Sequence, residues 1–469
     1  IDDDMRKTLS NNEVLVAITK KNTSVLQHLL NGISNCPEKL RKQHKVLIID
    51  DEADHATVNT GGEGEQEFAD SSLEGDEADE NPLDDDDPSK TNLLVRKIIL
   101  QFPTSSYIGY TATPYANVLI DPFLESEELG LSLYPRDFIM NLAKPDDYFG
   151  AIDFFGTEDN EGHHVILHPE NTAERIMSVK PTVEDNIDEV IPAALKVAMM
   201  DFVLTGALKQ HRRSRGSSIH PLHHSMLVHV SRLKHDQSVI YDMIKKLVEE
   251  EWKIQAKSMF QSDSFLEMLE QRWQNEFVSK FPNIEAFSEF SELLVDEDGW
   301  MQDISVMMIN SESDEILDYD AYDQGLNVIA IGGNKLSRGL TLEGLTVSIY
   351  MRNTKMYDSL MQMGRWFGYR QGYSDLVRVH TTEQIYSWFE WLVKAEEEVR
   401  KDIDRYAVLG VSPMDVAVRI PWHDELIPTA RNKMKYAIKN IYNYSNRTTE
   451  SVHLPIYDEP RLLHNFNAA

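Results

Sequence analysis

Short apolar runs that end abruptly in polar residues recur along the sequence and alternate with segments of helical periodicity. In the first quarter of the chain they predict strands at 14–19, 46–49 and 106–110. Further strands are predicted in the second half, at 226–230, 304–309, 328–331, 345–350 and 376–379. Because strands that alternate with helices form parallel sheets, the pattern predicts two α/β units. The run Val46–Ile49 is apolar throughout, which predicts a strand buried on both faces.

Helical periodicity separates the predicted strands. Apolar residues at helical spacing over 189–210 predict a buried bridging helix, and another helix is expected over 235–253. The polar, aromatic-rich stretch 256–294 predicts a helical insertion. Thr381, with Gln384 three residues later, predicts the capping box of a further helix.

Acidic residues follow the predicted strand 46–49 directly, as the sequence DDEADH at 50–55. The carboxyl end of a parallel strand is where α/β folds bind ligands, and phosphate chemistry needs carboxylates there to hold Mg²⁺ and orient water. Asp51 is therefore interpreted as the metal ligand and Glu52 as the residue that orients water. A solvated acidic turn is the alternative interpretation.

Two arginine-bearing turns follow apolar elements in the second half of the chain. The SRG turn at 337–339 follows the predicted strand 328–331, and Arg365 and Arg370 follow a helix-like run. In two-lobed motor ATPases such arginines reach across a cleft to a phosphate bound on the other lobe. The order of the two turns therefore predicts a cleft shared with the acids at 50–55.

Several of these segments resemble known motifs. DDEADH, GYTATP, the SRG turn and the QMGR segment are similar to motifs two, three, five and six of the superfamily two helicases. Longer segments resemble the bacterial Z-one domain family, over about residues 12–420: GYTATPYANVLIDPF, LYPRDFI, HSMLVHVSR, GGNKLSRGLTLEGLTVS and NTKMYDSLMQMGRWFGYR. Members of this family accompany helicase modules, and the domain is often labelled an endonuclease domain.

The resemblance implies an ATP and Mg²⁺ site with Asp51 and Glu52 as the metal and water-activating pair. It implies Arg365 or Arg370 as an arginine finger; the choice stays open because these arginines are five residues apart, against three in helicases. Thr341 stands where motif five carries an acid. Nucleotide contacts are implied for Gln362, Arg338 and Gly339. Nucleic-acid contacts are expected at Thr111, Thr113, Ser231, Arg232, Lys335 and Ser337. A solvated loop is the alternative for Lys335, Ser337 and Arg338.

The phosphate cradle of such motors does not occur in the sequence. No GxxxxGK[ST] loop is present in the 469 residues, although this loop supplies the backbone amides and the lysine that bind the β- and γ-phosphates. The chain starts with Ile1 rather than methionine, so its first strand and P-loop are expected upstream. A chain complete as given is not expected to hydrolyse ATP alone.

The charge of the chain is strongly acidic, with 46 basic and 78 acidic residues and a net charge of −32. This argues against broad non-specific binding to a polyanion. Residues 63–87 carry thirteen acids and no Lys or Arg, which predicts a mobile acidic insertion over 59–90, with an autoinhibitory role as a hypothesis. The basic run KQHRRSR at 209–215 is interpreted either as part of a basic cleft or as a solvated helix end.

The cysteines and histidines of the sequence limit the disulfide and metal sites that can be expected. A single cysteine, Cys36, excludes disulfide scaffolds and cysteine-rich zinc sites and fits a reducing cytoplasm. The histidine pairs at 163–164 and 223–224 are interpreted as surface or core residues, because adjacent side chains on a strand face opposite sides. No apolar run approaches 18 residues, so no membrane partner is expected.

The predicted fold is α/β, with two RecA-like parallel-sheet lobes. Its layout is an incomplete first lobe at 1–125, a connector and bridging helix at 126–215, a second lobe at 216–382 with a helical insertion at 256–300, and a helical extension at 383–469. The predicted function is an ATP-dependent translocase or helicase-like motor on double-stranded DNA, in a bacterial restriction or antiphage system with methylase, nuclease or ATPase partners. A metal-dependent endonuclease that uses the acids at 50–54 and a non-catalytic DNA clamp or scaffold are the alternatives.

Overall fold

The computed structural model describes most of the chain between residues 7 and 439. The described residues are 7–8, 11, 13–55, 57–58, 88–126, 128–156, 162, 164–180, 185–257, 262–295, 299–310, 313, 315–337, 340–434 and 436–439. The predictions for the acidic insertion and for the end of the C-terminal extension concern residues outside these ranges.

The secondary structure of the described residues follows in chain order. The strands are β1 (Val46–Asp50), β2 (Ser105–Gly109), β3 (Glu125–Ser126), β4 (Gly130–Leu131), β5 (Tyr148–Phe149), β6 (Val165–His168), β7 (His224–His229), β8 (Ile304–Ile309), β9 (Asn327–Gly332), β10 (Leu345–Tyr350), β11 (Gly368–Tyr369) and β12 (Arg378–Thr382). The helices are α1 (Thr23–Asn35), α2 (Glu38–Gln43), α3 (Pro88–Leu100), α4 (Tyr115–Val118), α5 (Ala151–Phe155), α6 (Thr172–Ser178), α7 (Ile187–Val190), α8 (Ala193–Ser214), α9 (Lys234–Lys246), α10 (Lys253–Lys257), α11 (Ser262–Arg272), α12 (Phe287–Phe290), α13 (Asn334–Ser337), α14 (Tyr357–Met363) and α15 (Glu383–Leu409). The π-helical turns Leu247–Trp252 and Trp273–Val278 continue α9 and α11.

The N-terminal unit, residues 13–55 and 88–118, is built on the parallel strands β1 and β2. Its helix α1 begins after Asn22, whose side chain caps the helix by accepting a hydrogen bond from the amide of Val25 (2.9 Å). Helices α1 and α3 contribute its buried apolar core: Leu26, Leu30, Ile33, Cys36, Leu94, Val95, Ile98 and Phe102. Because the strands are parallel, the turns that follow them lie at one edge of the pair.

Two predictions for the N-terminal unit are wrong. Strand β1 is not buried on both faces, because the helices cover only the side of Val46 and Ile48 and leave Leu47 and Ile49 58% and 61% exposed. Residues 14–19 form no strand, and most of their apolar side chains are exposed. A β-branched run favours extended backbone, but a strand also needs hydrogen bonds from a neighbouring strand.

A six-stranded parallel sheet, in the order β6-β12-β10-β7-β9-β8, organises the second domain of the described chain. Strands β7, β9 and β10 are buried at every residue, as expected for central strands that are covered on both faces. The bridging helix α8 packs on this sheet and is buried along most of the segment 194–209. The predicted bridging helix and the four predicted strands between 226 and 350 are therefore confirmed.

The edge strand β6 comes from the segment that the sequence predicted as a connector. It pairs in parallel with β12, from Val165 opposite Val379 to His168 opposite Thr382. Strand β12 spans 378–382 rather than 376–379. Strand β6 therefore forms the edge of the sheet opposite β8, and the chain reaches this edge before it enters α8.

Helix α15 is 27 residues long and follows β12 without a loop. The hydroxyl of Thr382 accepts a hydrogen bond from the amide of Ile385 (3.5 Å), so the helix cap lies one residue later than the predicted Thr381. The helix ends at Gly410, whose φ of 65° is a left-handed conformation that glycine adopts without steric cost. None of the helices within the described ranges combines the length and apolarity needed to cross a bilayer.

Buried ion pairs connect α8, the helical insertion and β12. The fully buried carboxylate of Asp201 accepts two hydrogen bonds of 2.7 Å from Arg272 and lies 3.0 Å from Nε2 of His380. The second ring nitrogen of His380 contacts His168 at 3.0 Å. Burial alone would raise the pKa of Asp201, but the hydrogen bonds from Arg272 and His380 outweigh burial and lower it to about 2.

The basic run 209–215 also contributes to the interior of this domain. Lys209 is buried and donates hydrogen bonds to backbone carbonyls. Arg212 forms ion pairs with Glu285 (2.8 Å) and Asp375 (2.6 Å). The run therefore connects the helical insertion to the sheet through ion pairs. Neither the basic-cleft interpretation nor the solvated-helix interpretation of the sequence anticipated this role.

Replacing Asp201 with Asn is expected to lower the free energy of unfolding by about 3 kcal/mol, because Arg272 would lose the buried anion at 2.7 Å and keep only the carboxylate of Glu276 at 3.8 Å. Urea unfolding followed by circular dichroism at neutral pH measures this change. The control E390Q removes an exposed ion pair with Lys394 (3.4 Å) and is expected to cost less than about 1 kcal/mol.

The ionisation of Asp201 also makes the stability of the protein depend on pH. Because folding lowers the pKa of Asp201 from 3.8 to about 2, its ionisation stabilises the native state above the unfolded value, and this contribution disappears as the pH falls through the folded value. Wild-type protein should therefore lose more stability than D201N between pH 3.8 and pH 2. Parallel stability curves for the two proteins would contradict an ionised Asp201 in the native state.

Candidate functional site

An open cleft of about 2200 Å³ lies between the N-terminal unit and the second domain. The turn after β1 and the end of β2 line one side, and residues 341–344 and 361–370 line the other. Residues 129–152 and part of α15 complete the lining. Basic and acidic side chains line the cleft in equal numbers, whereas the whole chain has 46 basic and 78 acidic residues. The cleft is therefore less acidic than the chain as a whole.

The turn that follows β1 exposes two carboxylates and buries two others. Asp51 and Glu52 are exposed, whereas Asp50 and Asp54 are buried. The side chain of Asp51 accepts a hydrogen bond from the amide of Glu52 (3.1 Å), and Asp50 accepts one from the hydroxyl of Tyr107 (2.6 Å). Glu52 has a φ of 51°, in the left-handed region that a non-glycine residue enters only at a steric cost.

Asp54 connects the two sides of the cleft. Its carboxylate accepts hydrogen bonds from the hydroxyls of Thr111 (2.7 Å) and Thr113 (3.0 Å). It also accepts a hydrogen bond from the side-chain amide of Gln362 (2.7 Å), which lies on α14 in the second domain. The same amide donates to the hydroxyl of Thr113 (3.0 Å). Three segments distant in sequence therefore meet at one buried carboxylate.

Arg365 faces the acid turn from the second domain. Its guanidinium group interacts electrostatically with Glu52 and donates a hydrogen bond to the carbonyl of Leu340. Burial lowers the pKa of Arg365, and the negative charge of Glu52 acts in the opposite direction. Gln362 lies three residues earlier, so the hydrogen bond to Asp54 and the positive charge that acts on Glu52 come from one short segment.

Arg370 has a different environment. It is buried, and its guanidinium group donates hydrogen bonds to the carbonyls of Trp366 (2.9 Å) and Tyr369 (3.0 Å). It also lies over the ring of Tyr373, 5.9 Å from the centroid. These contacts close the loop that contains Arg370, so its charge is directed at its own backbone rather than at Glu52.

A second group of predicted residues lies at the carboxyl ends of β7 and β9, away from the residues that line the cleft. The hydroxyl of Ser231 accepts a hydrogen bond from the amide of Leu233 (3.1 Å) and so shapes the turn before α9. Arg232 is exposed, and the exposed Lys335 donates to the carbonyl of Asn310 (3.2 Å). Of the SRG turn, the side chain of Ser337 and the residues Arg338 and Gly339 lie outside the described part of the chain.

The acids of the turn point in different directions. Asp50 is directed at Lys21, Asp54 is directed at neutral donors, and Asp51 and Glu52 face solvent. Within the ranges described above, no three His, Cys, Asp or Glu side chains converge as metal ligands. Mg²⁺ commonly binds one or two carboxylates and completes its shell with water and phosphate oxygens, so the exposed Asp51 fits this ion. A two-metal nuclease site requires carboxylates that converge.

Two contributions to this site were not predicted. Lys21 hydrogen-bonds to the acid turn, and Asp54 was assigned only to the alternative metal cluster, although it joins the two sides of the cleft. The only signal for Lys21 was its position just before α1, since the apolar run 14–19 forms no strand that would place it at the edge of the sheet. The sequence contains no comparable signal for Asp54.

Residues 194–427 match the family model described as the Z1 domain. Comparisons with curated proteins and with solved structures give no match. The matched segment contains α8, the central strands and the cleft residues Gln362 and Arg365, whereas the acid turn lies outside it. The family resemblance is therefore supported for this segment, and the helicase resemblance stays a prediction.

Replacing Gln362 with Leu is expected to weaken the junction between the two sides of the cleft. The buried carboxylate of Asp54 would lose one of its donors, which costs about 1–3 kcal/mol of stability. Hydrogen exchange measured by mass spectrometry should become faster at 50–55 and 111–118. The control Q384L changes an exposed glutamine at the start of α15 and should leave both segments unchanged. Wild-type exchange rates in Q362L would contradict a coupling role for this contact.

Proposed function

We propose that this chain supplies the catalytic carboxylates and the arginine finger of an ATP-dependent motor that acts on DNA. The observation that carries the proposal is the hydrogen bond across the cleft from Gln362 to Asp54 (2.7 Å), together with the position of Glu52 and Arg365 on the lining of that cleft. Carboxylates at the end of a parallel strand, opposed by a guanidinium group from another segment, can stabilise the charge of a phosphoryl group in transfer.

The residues of the acid turn and of the segment 362–365 have distinct roles in this proposal. Asp51 would hold Mg²⁺, which when bound neutralises charge on the phosphate oxygens, and Glu52 would orient the attacking water. Arg365 would be the finger, because the guanidinium group of Arg370 is already hydrogen-bonded to its own loop. The hydrogen bond from Gln362 to Asp54 would link closure of the cleft to the position of Arg365.

We assign the N-terminal unit and the second domain to the two RecA-like lobes of such a motor. Both contain parallel strands, and both place polar residues at the carboxyl ends of those strands. No GxxxxGK[ST] loop occurs in the 469 residues, so in this proposal the phosphate cradle comes from outside them. For this reason the test begins with ATP binding.

Double-stranded DNA is the proposed track of the motor. Ser231, Arg232 and Lys335 follow two adjacent parallel strands and would contact the phosphate backbone. Arg232 and Lys335 are both exposed, which supports local binding to phosphates despite a net charge of −32. Partners of a bacterial restriction or antiphage system, such as a methylase, nuclease or second ATPase, are proposed from the family resemblance alone.

The motor proposal is tested by ATP binding and hydrolysis, with and without double-stranded DNA, in wild type and variants. Wild type is expected to show DNA-stimulated hydrolysis. E52Q should bind ATP but lose at least about 100-fold in kcat, because water would no longer be oriented. R365A should lose about 1000-fold or more, because the developing charge would no longer be opposed. The control R175A changes an exposed arginine on α6 and should be unaffected.

The same measurements separate the alternatives. DNA cleavage in Mg²⁺ without ATP would contradict the motor and favour an endonuclease that uses the acids at 50–54. DNA binding without nucleotide binding or cleavage would favour a clamp or scaffold. Loss of hydrolysis in R370A with the wild-type unfolding midpoint, alongside an active R365A, would reverse the assignment of the finger.

A further inference from the structure

The ammonium group of Lys21 lies on the inner side of the acid turn. Its Nζ donates hydrogen bonds to the carboxylate of Asp50 (2.8 Å) and to the carbonyls of Asp51 (2.8 Å) and Glu52 (2.6 Å). An ammonium group has three N–H donors, and here each has an acceptor. Lys21 thus contacts three consecutive residues of the turn, two of them through the backbone.

These contacts determine how the turn presents its exposed carboxylates. Because the carbonyls of Asp51 and Glu52 both point to one cation, the backbone between them bends sharply, and Glu52 takes its left-handed φ of 51°. The carboxylates of these two residues then lie on the solvent side of the turn, and Glu52 interacts with Arg365. Lys21 itself is 21% exposed and lies below this surface.

We propose that Lys21 is a positioning residue for the acid turn, one that fixes the backbone of Asp51 and Glu52 so that their carboxylates lie on its solvent side, with Glu52 on the lining of the cleft. The catalytic importance of this role rests on the motor function proposed above. The geometry of the turn itself can be measured without ATP. The neighbouring Lys20 is exposed, so it provides a matched control.

A simpler role for Lys21 is to neutralise the buried carboxylate of Asp50. The two roles differ in what happens when that charge is removed. If Lys21 only neutralises Asp50, the double variant K21M/D50N should keep the turn ordered, because no unpaired buried charge remains. If Lys21 holds the carbonyls of Asp51 and Glu52, the double variant should still lose order in the turn.

Hydrogen exchange of the full chain, measured by mass spectrometry, distinguishes these roles. The amides of Ala53 and His55 are hydrogen-bonded to the carbonyls of Tyr110 and Glu52, so they report on the turn. In K21M and in K21M/D50N, exchange at 50–55 is expected to be about tenfold faster, as for loss of a hydrogen bond to a charged group. Exchange in K20M should match wild type, and exchange at 94–102 in α3 should be unchanged in all variants.

Kinetics provide a second measurement. K21M is expected to lower kcat while leaving KM for ATP near the wild-type value, because the variant misplaces carboxylates that act on the transferring group. K21R should recover only part of the activity, because a planar guanidinium group cannot direct its donors at three acceptors around one point.

The outcomes separate the two proposals. Fast exchange at 50–55 in K21M and in the double variant supports the positioning role, even if wild type hydrolyses no ATP and only the motor proposal fails. Wild-type exchange in K21M overturns the positioning role, whatever the ATPase activity. Slow exchange restored in K21M/D50N would assign Lys21 to charge neutralisation alone and also overturn it.

Discussion

The arrangement of the cleft depends on one buried carboxylate that draws its hydrogen bonds from both sides. Asp54 is 1% exposed, and its donors are two threonines after β2 and Gln362 on α14. A buried carboxylate with a missing donor is unfavourable, so this contact opposes separation of the two sides. Because Arg365 follows Gln362 by three residues, just after the end of α14, docking of the glutamine also keeps the arginine on the lining of the cleft with Glu52.

Several basic residues of the second domain form contacts in its interior rather than on its surface. Arg272 and Arg378 pair with the buried acids Asp201 and Glu276. Lys209 donates hydrogen bonds to backbone carbonyls. These cations stabilise the interior and are not available to a polyanion. Attraction of nucleic acid to this molecule would therefore depend on local groups rather than on net charge.

The sequence predicted the parts of the fold that strong local patterns determine. The apolar runs of β7 to β10, the bridging helix and the acid turn after β1 were all recognisable. Strand β6 and the unpaired segment 14–19 were not, because in both cases the partner strand, or its absence from the described residues, decides the outcome. The spacing of Arg365 and Arg370 left the choice between them open. Packing distinguishes the two arginines. Trp366 is fully buried, and backbone carbonyls of the same loop accept the hydrogen bonds of Arg370.

The position of β6 at the far edge of the sheet limits how the molecule can move. Strand β5 is paired with β11, and β6 with β12. The chain from residue 148 onward is therefore attached to the second domain by backbone hydrogen bonds. At the other end, Arg96 on α3 holds the carbonyls of Leu129 and Gly130. Residues between these two anchors are also tied to the second domain, because Tyr134 donates a hydrogen bond to the carbonyl of Pro413 (2.9 Å) and Asn141 donates one to the carbonyl of Arg400 (2.8 Å). Any swing of one half against the other would strain these contacts, which belong to residues 132–145 of the cleft wall. Opening the cleft and reshaping its wall would then be a single motion.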